Sequence, residues 1–369
     1  MKGPPQAGPY YIVFRPILWD SRCMGNWPKV SVVILNYNGL TDTINCLKSL
    51  DKCTYPNMEI ILLDNGSPNG TDPDVLAKIQ QKNYRFIDNK KNDGFAGGCN
   101  RGMEIVLAEG KSKYVYLLNN DTEVEPDFME EAVRVAEEDD RIGSVASKSF
   151  YFDNREIIES AGLTLLDCGE VVARGRGKHT SLLMDDEELL GVCGAAMLLR
   201  VDMLKEIGLF DEEFFLYSED SDLSLRAVAT GWKCWFAHRS KIYHKVSVST
   251  RKVRNYKFNV KARFNQFKAY FCNMPWIVMI INFVPFVLWS LLMIFGSLLF
   301  LKWRITFSFF HAIGQFFRNF RKVLKKRRKV MERERVCPWH ILKFQKSFIP
   351  VYIGHFKEII LRGRKSVWE

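Results

Sequence analysis

Apolar runs and polar stretches alternate regularly along the chain from Lys29 onward. Short runs of β-branched, aromatic and aliphatic residues, bounded by turn residues, predict buried strands. The predicted elements, in chain order, are strands at 30–35, 58–63, 84–87 and 114–118 and helices at 41–50, 72–83, 95–109 and from Pro126 onward. This alternation is typical of an α/β fold with a mostly parallel sheet and helices on both faces.

The pattern weakens between residues 142 and 190, where we expect short strands and polar loops. A strand at 191–199, helices at 201–207 and 218–230, and a strand at 233–237 complete the predicted domain. Right-handed crossovers would bring the strand ends near Asn36, Asp64 and Asn119 to one edge of the sheet. Open α/β sheets bind their ligands at that edge.

The charge of the chain is divided unevenly between two parts. Residues 1–244 carry 27 Lys/Arg and 38 Asp/Glu, whereas residues 245–369 carry 26 Lys/Arg and 4 Asp/Glu. We therefore expect three segments: a leader at 1–28 without a secretory signal, a catalytic domain at 29–250, and a basic helical tail at 251–369. The tail has no nucleic-acid-binding signature but contains an apolar run, which favours an anionic membrane surface as its partner.

The apolar run at 276–301 is 26 residues long and has no charged residue. It is long enough to span a bilayer, for which about 20 residues suffice. Basic residues flank it on both sides, and the positive-inside rule would keep both flanks cytoplasmic. A spanning helix and a re-entrant or interfacial hairpin bent at Pro285 are both open, and a buried core helix is the third alternative. In each membrane reading the catalytic domain lies on the cytoplasmic side.

The nine cysteines are scattered, odd in number and without a CxxC pair. This usage predicts individually packed thiols in a reducing compartment, and it argues against a disulfide framework or a zinc site.

A first acidic phrase, Asn119–Asn120–Asp121, directly follows the strand at 114–118. Such clusters are usually turns, but here Asp64 ends a second strand of the same predicted sheet. A hard cation such as Mg²⁺ or Mn²⁺ binds one or two carboxylates together with phosphate oxygens. We therefore expect a cation on a diphosphate at this edge. His244, after the last predicted strand, is a further possible metal ligand.

A second acidic phrase places Glu219, Asp220 and Asp222 in the first turn of the helix at 218–230. Carboxylates are common at helix N-termini because the helix dipole favours them. Three acids in four positions are more than a helix N-terminus requires, and they follow an apolar stretch that should be partly buried. Crowded, desolvated carboxylates raise one another's pKa, which suits a general base. Arg226, further along the same helix, is either a structural partner of this cluster or a phosphate contact, and we favour the structural role.

A glycine-rich segment at 92–102 leads into the helix at 95–109. It indicates a close backbone approach or an anion site at a helix start. It is not a P-loop, because the Gly-Lys-Ser/Thr ending is missing.

Together these residues resemble glycosyltransferase family 2, the inverting GT-A enzymes, and within it the rhamnosyltransferase-like branch. The resemblance covers about residues 29–250 and rests on five ordered blocks, at 30–39, 63–67, 92–100, 117–121 and 208–226. Asn119 replaces the first Asp of a strict DxD motif, a departure usual in that branch that leaves less charge on the metal. The Gln-x-x-Arg-Trp motif of processive synthases is absent after the second acidic phrase.

The resemblance implies a nucleotide-diphosphate-sugar donor and a role in glycan or cell-envelope polysaccharide biosynthesis. It implies that Asp220 is the catalytic base with Glu219 beside it, and that Asp121 and His244 bind Mg²⁺ or Mn²⁺. The residues implied to bind the donor are Asn36, Tyr37, Asn38, Asp64, Asn92, Asn100, Asn119, Asn120 and Asp121.

The expected reaction is a single, metal-dependent inverting transfer to a hydroxyl group of a glycan acceptor, which the basic tail predicts to be lipid-linked. Two alternatives remain open. One is a polyprenyl-phosphate glycosyltransferase, whose phosphate acceptor needs little base catalysis. The other is a non-catalytic, membrane-attached sugar-binding homologue.

Overall fold

A computed structural model of the chain describes residues 27–246 and 255–354, apart from residues 69, 71–76, 78, 80, 81 and 83. The expected helix at 72–83 therefore lies largely outside the described residues, as does most of the expected leader at 1–28. The described strands are β1 Val30–Asn36, β2 Met58–Asp64, β3 Arg85–Asp88, β4 Tyr114–Asn119, β5 Thr122–Val124, β6 Ile142–Tyr151, β7 Asn154–Ser160, β8 Leu163–Leu166, β9 Val171–Ala173, β10 Glu187–Leu189, β11 Ala196–Arg200, β12 Lys233–His244 and β13 Gln345–Lys346. The described α-helices are α1 Leu40–Leu50, α2 Gly94–Glu109, α3 Phe128–Ala136, α4 Val201–Ile207, α5 Glu219–Ala229, α6 Tyr256–Asn273, α7 Trp276–Ile281, α8 Phe283–Leu299, α9 Trp303–Arg318, α10 Phe320–Met331 and α11 Pro338–Leu342.

The central sheet is mixed, which corrects the expectation of a mostly parallel sheet. Its strand order is β10-β12-β6-β11-β4-β1-β2-β3. Strands β4, β1, β2 and β3 are mutually parallel, as expected, but β11 runs antiparallel to both of its neighbours, β4 and β6. A strand buried on both faces has the same apolar sequence in either direction, so the sequence of β11 does not reveal its direction.

Both faces of the sheet are covered, as the sequence predicts. Val33 of β1 belongs to a core cluster that includes α2, whereas Val32 and Ile34 belong to the opposite cluster, with α1 and α3. Alternate residues of a strand point to opposite faces, so an entirely apolar β1 requires both layers. The fold is therefore a mixed α/β sheet with helices on either side.

The apolar run at 276–301 is divided into two helices, α7 and α8, that meet at Asn282. The chain is interrupted there and not at Pro285, which lies in the first turn of α8, where a missing N–H costs no helical hydrogen bond. Within residues 27–246 and 255–354, none of the helices combines the length and hydrophobicity that crossing a bilayer requires.

The C-terminal helices pack on the part of the chain that forms the central sheet. Helix α6 contacts α5, α9 and α10. The short strand β13 pairs with β8, so the end of the described chain joins a small second sheet, in the order β13-β8-β9. Ion pairs such as Lys268–Asp211 (2.8 Å) and Lys343–Glu188 (2.8 Å) connect the basic region to the acidic one. Part of the tail's positive charge thus faces the protein's own carboxylates.

Candidate active site

The carboxyl ends of β1, β2 and β4 meet in a network of side-chain hydrogen bonds. Asn36 lies opposite Asp64 in the β1–β2 register, and its Nδ2 donates to Asp64 Oδ2 at 2.7 Å. Asn36 Oδ1 accepts from Thr43 Oγ1 at 2.9 Å and from Asn120 Nδ2 at 3.3 Å. Asn120 Nδ2 also donates to the carbonyl oxygen of Gly39 at 3.2 Å. Three of the predicted donor-binding residues are therefore in direct contact at one edge of the sheet.

The predicted donor-binding residues around this network differ in exposure. Tyr37 is half-buried, and Asn38 is exposed with a left-handed φ of 54°. The Asn38 backbone N–H donates to Ser67 Oγ at 3.0 Å, and Ser67 Oγ in turn donates to Asp64 Oδ2 at 2.9 Å. Tyr37 and Asn38 thus project from a turn whose backbone is fixed by Asp64, and their nucleoside-binding role stays a prediction.

The glycine-rich start of α2 contacts protein and does not present free N–H groups. The backbone N–H groups of Phe95 and Ala96 both donate to the carbonyl oxygen of Phe215, at 2.7 and 3.3 Å. Gly94 has a φ of +73°, and a Cβ there would lie 2.3 Å from that oxygen. Asn92 Oδ1 accepts from the Gly94 N–H at 2.9 Å. The sequence indicated either a close backbone approach or an anion site for this segment, and the structure shows the close backbone approach.

Asn100 lies on α2, facing the segment that precedes α5. Its Nδ2 donates to the carbonyl oxygen of Phe210 at 2.9 Å, and its Oδ1 accepts from the Phe210 N–H at 3.1 Å. The side chain is buried. Asn100 therefore fixes this segment against α2, and the donor role implied by resemblance stays a prediction.

Asp121 and His244 come together from β4's end and the last residue of β12. His244 Nε2 lies 3.2 Å from Asp121 Oδ1, and Asn119 Nδ2 lies 3.5 Å from the same nitrogen. The three positions are joined because β12 pairs with β5, the strand that directly follows Asp121. Asp121 and His244, the two possible metal ligands predicted from the sequence, are therefore brought into contact by the fold.

The donor set fits a cation that is also bound by a diphosphate. Among the described residues, no group of three or more His, Cys, Asp or Glu side chains is arranged to hold a metal ion. A Mg²⁺ or Mn²⁺ ion commonly takes one or two carboxylates and completes its shell with substrate phosphates and water. The Asp121 carboxylate and the His244 imidazole match that incomplete protein contribution.

A buried glutamate on β7, Glu159, lies behind His244. Its Oε2 is 3.6 Å from His244 Nδ1, and its Oε1 pairs with Arg176 at 2.5 Å. Burial opposes charge on His244, but Asp121 and Glu159 outweigh it and raise the pKa of the metal-free imidazole to about 10. A cation bound at Nε2 would have to displace the proton from that nitrogen. Burial would likewise raise the pKa of Glu159, yet Arg176 and His244 lower it to about 2. The imidazole is thus held between two carboxylates.

Asp220 and Glu219 open helix α5, and they differ in hydrogen bonding. Asp220 Oδ2 accepts from the Gly194 N–H at 3.0 Å, and Oδ1 accepts from the Ser221 N–H at 2.7 Å. Burial raises the pKa of Asp220, and these donors act against that rise. Glu219 is buried, and within the described part of the chain its Oε2 has no hydrogen-bond partner. Burial together with the Asp220 charge raises the pKa of Glu219 to about 8.

The loop around Gly194 connects the two acidic phrases. The N–H of Asn119 donates to the carbonyl oxygen of Ala195 at 2.9 Å, whereas the preceding residue, Gly194, donates to Asp220. The base candidate and the strand end that carries Asp121 are therefore bound to adjacent residues of one loop.

The remaining members of the second acidic phrase are structural, as the sequence indicated for Arg226. Asp222 is fully buried and accepts from Arg226 Nε at 2.9 Å and from Asn273 Nδ2 at 2.9 Å. Burial would raise the pKa of Asp222, but Lys326 and Arg226 hold it well below its usual value. The guanidinium of Arg226 also donates to the carbonyl oxygens of Ile207 and Leu209. Arg226 thus anchors α5 rather than facing the open edge of the sheet.

Three groups at this site, Glu159, Arg176 and the Gly194 N–H, are not among the residues predicted from the sequence. Glu159 follows two isoleucines inside the weakly patterned region at 142–190. A carboxylate within such an apolar stretch is the signal that could have marked it, because a buried charge requires a partner. The Gly194 contribution is a backbone group, which carries no side-chain signal.

Comparison with known proteins identifies this architecture. Residues 31–208 match the family model described as Glycosyl transferase family 2. An uncharacterized glycosyltransferase of Escherichia coli (strain K12) is 35% identical over 120 residues, which cover 32% of this chain and 33% of that protein. An uncharacterized glycosyltransferase of Rickettsia prowazekii (strain Madrid E) is 24% identical over 233 residues, which cover 61% of this chain and 64% of that protein.

Solved structures show the same fold. The crystal structure of GalNAc-T7 with UDP, GalNAc and Mn²⁺ superimposes with a TM-score of 0.50 at 18% identity, covering 59% of this chain and 43% of that one. At this identity the likeness concerns the fold alone. The chain spans less than two thirds of the length of the curated relatives that it matches, with 27%, 30% and 64% of three of them covered.

Proposed function

The chain belongs to glycosyltransferase family 2 through residues 31–208, and on that premise we propose that it performs an inverting, single-sugar transfer. The donor is a nucleotide-diphosphate-sugar and the acceptor is a hydroxyl group of a glycan. The arrangement around Gly194 carries this proposal. It holds the carboxylate of Asp220 and the strand end that leads to Asp121 on adjacent residues of one loop.

The proposed chemistry follows from the contacts of Asp220. Its carboxylate takes the proton of the acceptor hydroxyl while that oxygen attacks the anomeric carbon. The bond from this carbon to the diphosphate oxygen breaks, and the nucleoside diphosphate leaves with the electron pair. Burial raises the pKa of Asp220, which makes it a better proton acceptor, and the N–H groups of Gly194 and Ser221 fix its orientation.

We assign the metal site to Asp121 and His244 and the nucleoside pocket to the network of Asn36, Tyr37, Asn38 and Asp64. A bound Mg²⁺ or Mn²⁺ would stabilise the negative charge of the diphosphate leaving group. The protein of similar fold contains UDP and Mn²⁺, which supports this class of donor and cofactor. Asn119 supplies an amide where a strict DxD motif has a carboxylate, so the proposed branch is the rhamnosyltransferase-like one.

We further propose that the acceptor is lipid-linked, as in cell-envelope polysaccharide biosynthesis, and that the protein acts at the cytoplasmic side of an anionic membrane. Helices α7 to α9 expose many large apolar side chains, among them Trp276, Phe283, Phe295 and Leu299. Helix α10, directly after them, is strongly basic. Apolar insertion combined with attraction of Lys and Arg to anionic headgroups is the usual basis of interfacial binding.

Replacing Asp220 by Asn tests the base assignment. We expect Asp220→Asn to lower the transfer rate by roughly 100- to 10,000-fold, because the amide cannot accept the proton. Binding of the nucleotide-sugar, measured by thermal shift with a donor panel with and without Mn²⁺, should remain close to that of the wild type. Asp202→Asn is the matched control, since Asp202 is exposed on α4 and pairs only with Lys205 on the surface.

The same assays separate the alternatives. If Asp220→Asn keeps most of the wild-type turnover, Asp220 is not the base, and a phosphate acceptor then becomes the better candidate. Transfer to polyprenyl phosphate, but not to a lipid-linked sugar, would establish that alternative. Failure to transfer or hydrolyse any labelled nucleotide-sugar would leave the non-catalytic sugar-binding protein.

A further inference from the structure

The loop that precedes the base candidate has an unusual backbone. Phe215, Tyr217 and Ser218 have positive φ values of 63°, 70° and 71°, although none of them is glycine. L-residues rarely adopt this region, and aromatic residues do so only when their surroundings fix the backbone. Ser218 directly precedes Glu219 and accepts from the Asp222 N–H at 2.9 Å, so this loop sets the start of α5.

One side of this loop is held by the glycine-rich start of α2, through the carbonyl oxygen of Phe215. The other side is held by Asn265, a fully buried residue of helix α6. Its Nδ2 lies 2.8 Å from the carbonyl oxygen of Phe214 and 3.0 Å from those of Leu216 and Tyr217. A single amide nitrogen therefore contacts three carbonyl oxygens of one short loop that has several left-handed residues.

The orientation of the Asn265 amide follows from these contacts. Asn265 Oδ1 is buried and has no hydrogen-bond partner among the residues that the structure describes. A flipped amide would place this oxygen against three carbonyl oxygens, which is electrostatically unfavourable, so the NH₂ group must face the loop. Leaving Oδ1 unpaired costs free energy. This cost is accounted for if the loop needs the hydrogen bonds from Asn265 Nδ2 to keep its geometry.

We propose that Asn265 is a positioning residue that fixes the loop at 214–218 and thereby aims Asp220 at the acceptor hydroxyl. This inference rests on the proposed function of Asp220 as the base. The C-terminal helical region is then part of the catalytic unit, because the hydrogen-bond donor, Asn265 Nδ2, lies on α6 and the carboxylate of Asp220 lies on α5. A domain limited to residues 29–250 would lack this contact.

Two variants test the proposal. Asn265→Asp keeps the size of the side chain but replaces the donor by an anion facing three carbonyl oxygens. Asn265→Ala removes the donor without adding charge and serves if the Asp variant does not fold. Cys272→Ala is the control, because Cys272 is equally buried on α6 and donates to Val323 of α10 rather than to the loop.

Two readouts decide between a positioning and a merely structural role. Hydrogen–deuterium exchange should be faster at residues 215–222 in both Asn265 variants, but not in Cys272→Ala. The kcat of folded enzyme should fall about 10- to 100-fold, since small displacements of a catalytic group have effects of this size. The dissociation constant of the nucleotide-sugar should change less than about 2-fold, because Asn265 lies outside the donor network.

Unchanged exchange at residues 215–222 overturns the proposal, and so does a wild-type kcat in an active Asn265→Ala enzyme. A reduction of kcat equal to that in Cys272→Ala also overturns it, because it would reflect general destabilisation. If the wild-type protein transfers no sugar, the proposed function fails, and the exchange measurement still decides whether Asn265 holds the loop.

Discussion

At the scale of single residues, Asp220 and Glu219 show how neighbouring carboxylates acquire different protonation states. Both are desolvated, which favours the neutral acid in each. Asp220 accepts hydrogen bonds from Gly194 and Ser221, and such bonds favour the charged form. Glu219 has an unpaired buried oxygen and a pKa raised to about 8. Burial and the Asp220 charge thus favour the neutral acid at Glu219, whereas the donors around Asp220 favour the charged form that a base requires.

This assignment predicts a pH-dependent stability. The pKa of Glu219 is about 8 in the folded protein and near the ordinary value of 4.5 when unfolded. Its stabilising contribution is fully present below about pH 4.5 and is lost as the pH rises toward 8. We expect Glu219→Gln to be more stable than the wild type at pH 8.5, by on the order of 1–3 kcal/mol, and to differ less at pH 5.5. Urea unfolding at both pH values measures this difference.

Glu104→Gln serves as the control for this measurement, because Glu104 is an exposed residue of α2. If Glu219→Gln and the wild type lose stability in parallel between pH 5.5 and 8.5, Glu219 is ionised in the folded protein and the assignment is wrong.

Glu159 gives a second prediction at this scale, which concerns metal binding. Carboxylates behind a metal-binding histidine fix its ring orientation, and their loss typically lowers metal affinity 10- to 100-fold. Glu159 Oε2 faces His244 Nδ1, leaving Nε2 toward Asp121. We therefore expect Glu159→Gln to weaken Mn²⁺ binding, in the presence of UDP, by about 10-fold or more. Titration of Mn²⁺ followed by electron paramagnetic resonance measures this affinity without requiring turnover.

The matched control is Glu156→Gln, an exposed residue of the same strand β7. Equal Mn²⁺ affinity in the Glu159 and Glu156 variants would show that the carboxylate does not support His244.

At the scale of elements, apolar runs located the strands β1, β2 and β4 because those strands are buried on both faces. The N-terminal strands β1, β2 and β4 begin and end within one residue of the prediction. Since their register places Asn36 opposite Asp64 and Leu35 opposite Asn119, the polar strand ends were also predictable. This part of the candidate site follows from strand geometry alone.

Other elements could not be read from the sequence, for physical reasons. Strand β12 extends to His244, well beyond the predicted end at 237, because a register shift between Ala237 and Lys241 interrupts its alternation. A bulge of this kind changes which face a side chain occupies, so a periodic pattern breaks at it. The contacts of Asn265 could not be predicted either, because a single polar residue in a helix gives no pattern that identifies a partner distant in sequence.

The contacts of α5 show that the C-terminal helices hold the helix that carries the proposed base. Asp222 of α5 accepts from Asn273 of α6 and lies 3.2 Å from Lys326 of α10. Lys326 also pairs with Asp211, as does Lys268. The buried carboxylate of Asp222 and the half-buried carboxylate of Asp211 thus have cationic partners from α6 and α10. The first turn of α5 therefore depends on helices whose sequences, taken alone, suggested only a membrane tail.

At the scale of the whole molecule, the basic residues of the C-terminal part fall into two groups. Some basic residues beyond 244 pair with the acidic part of the chain, including Lys245 with Asp42 at 2.6 Å and Arg335 with Glu206 at 2.8 Å. The excess of 26 Lys/Arg over 4 Asp/Glu is much larger than these pairs can neutralise. The remaining positive charge lies in the region that also exposes the apolar side chains of α7 to α9, a combination suited to an anionic membrane surface.

This combination predicts salt-sensitive binding to vesicles. The wild-type protein should sediment with phosphatidylglycerol-containing vesicles but only weakly with pure phosphatidylcholine, and binding should fall as NaCl is raised. The double variant Phe295→Ser/Leu299→Ser should bind less, because those side chains are 65% and 78% exposed on α8. The control is Leu182→Ser/Met184→Ser, which alters similarly exposed residues of the catalytic part, 49% and 53%. Equal binding of both double variants would place the contact elsewhere, and equal binding to both vesicle types would exclude electrostatic attraction as its basis.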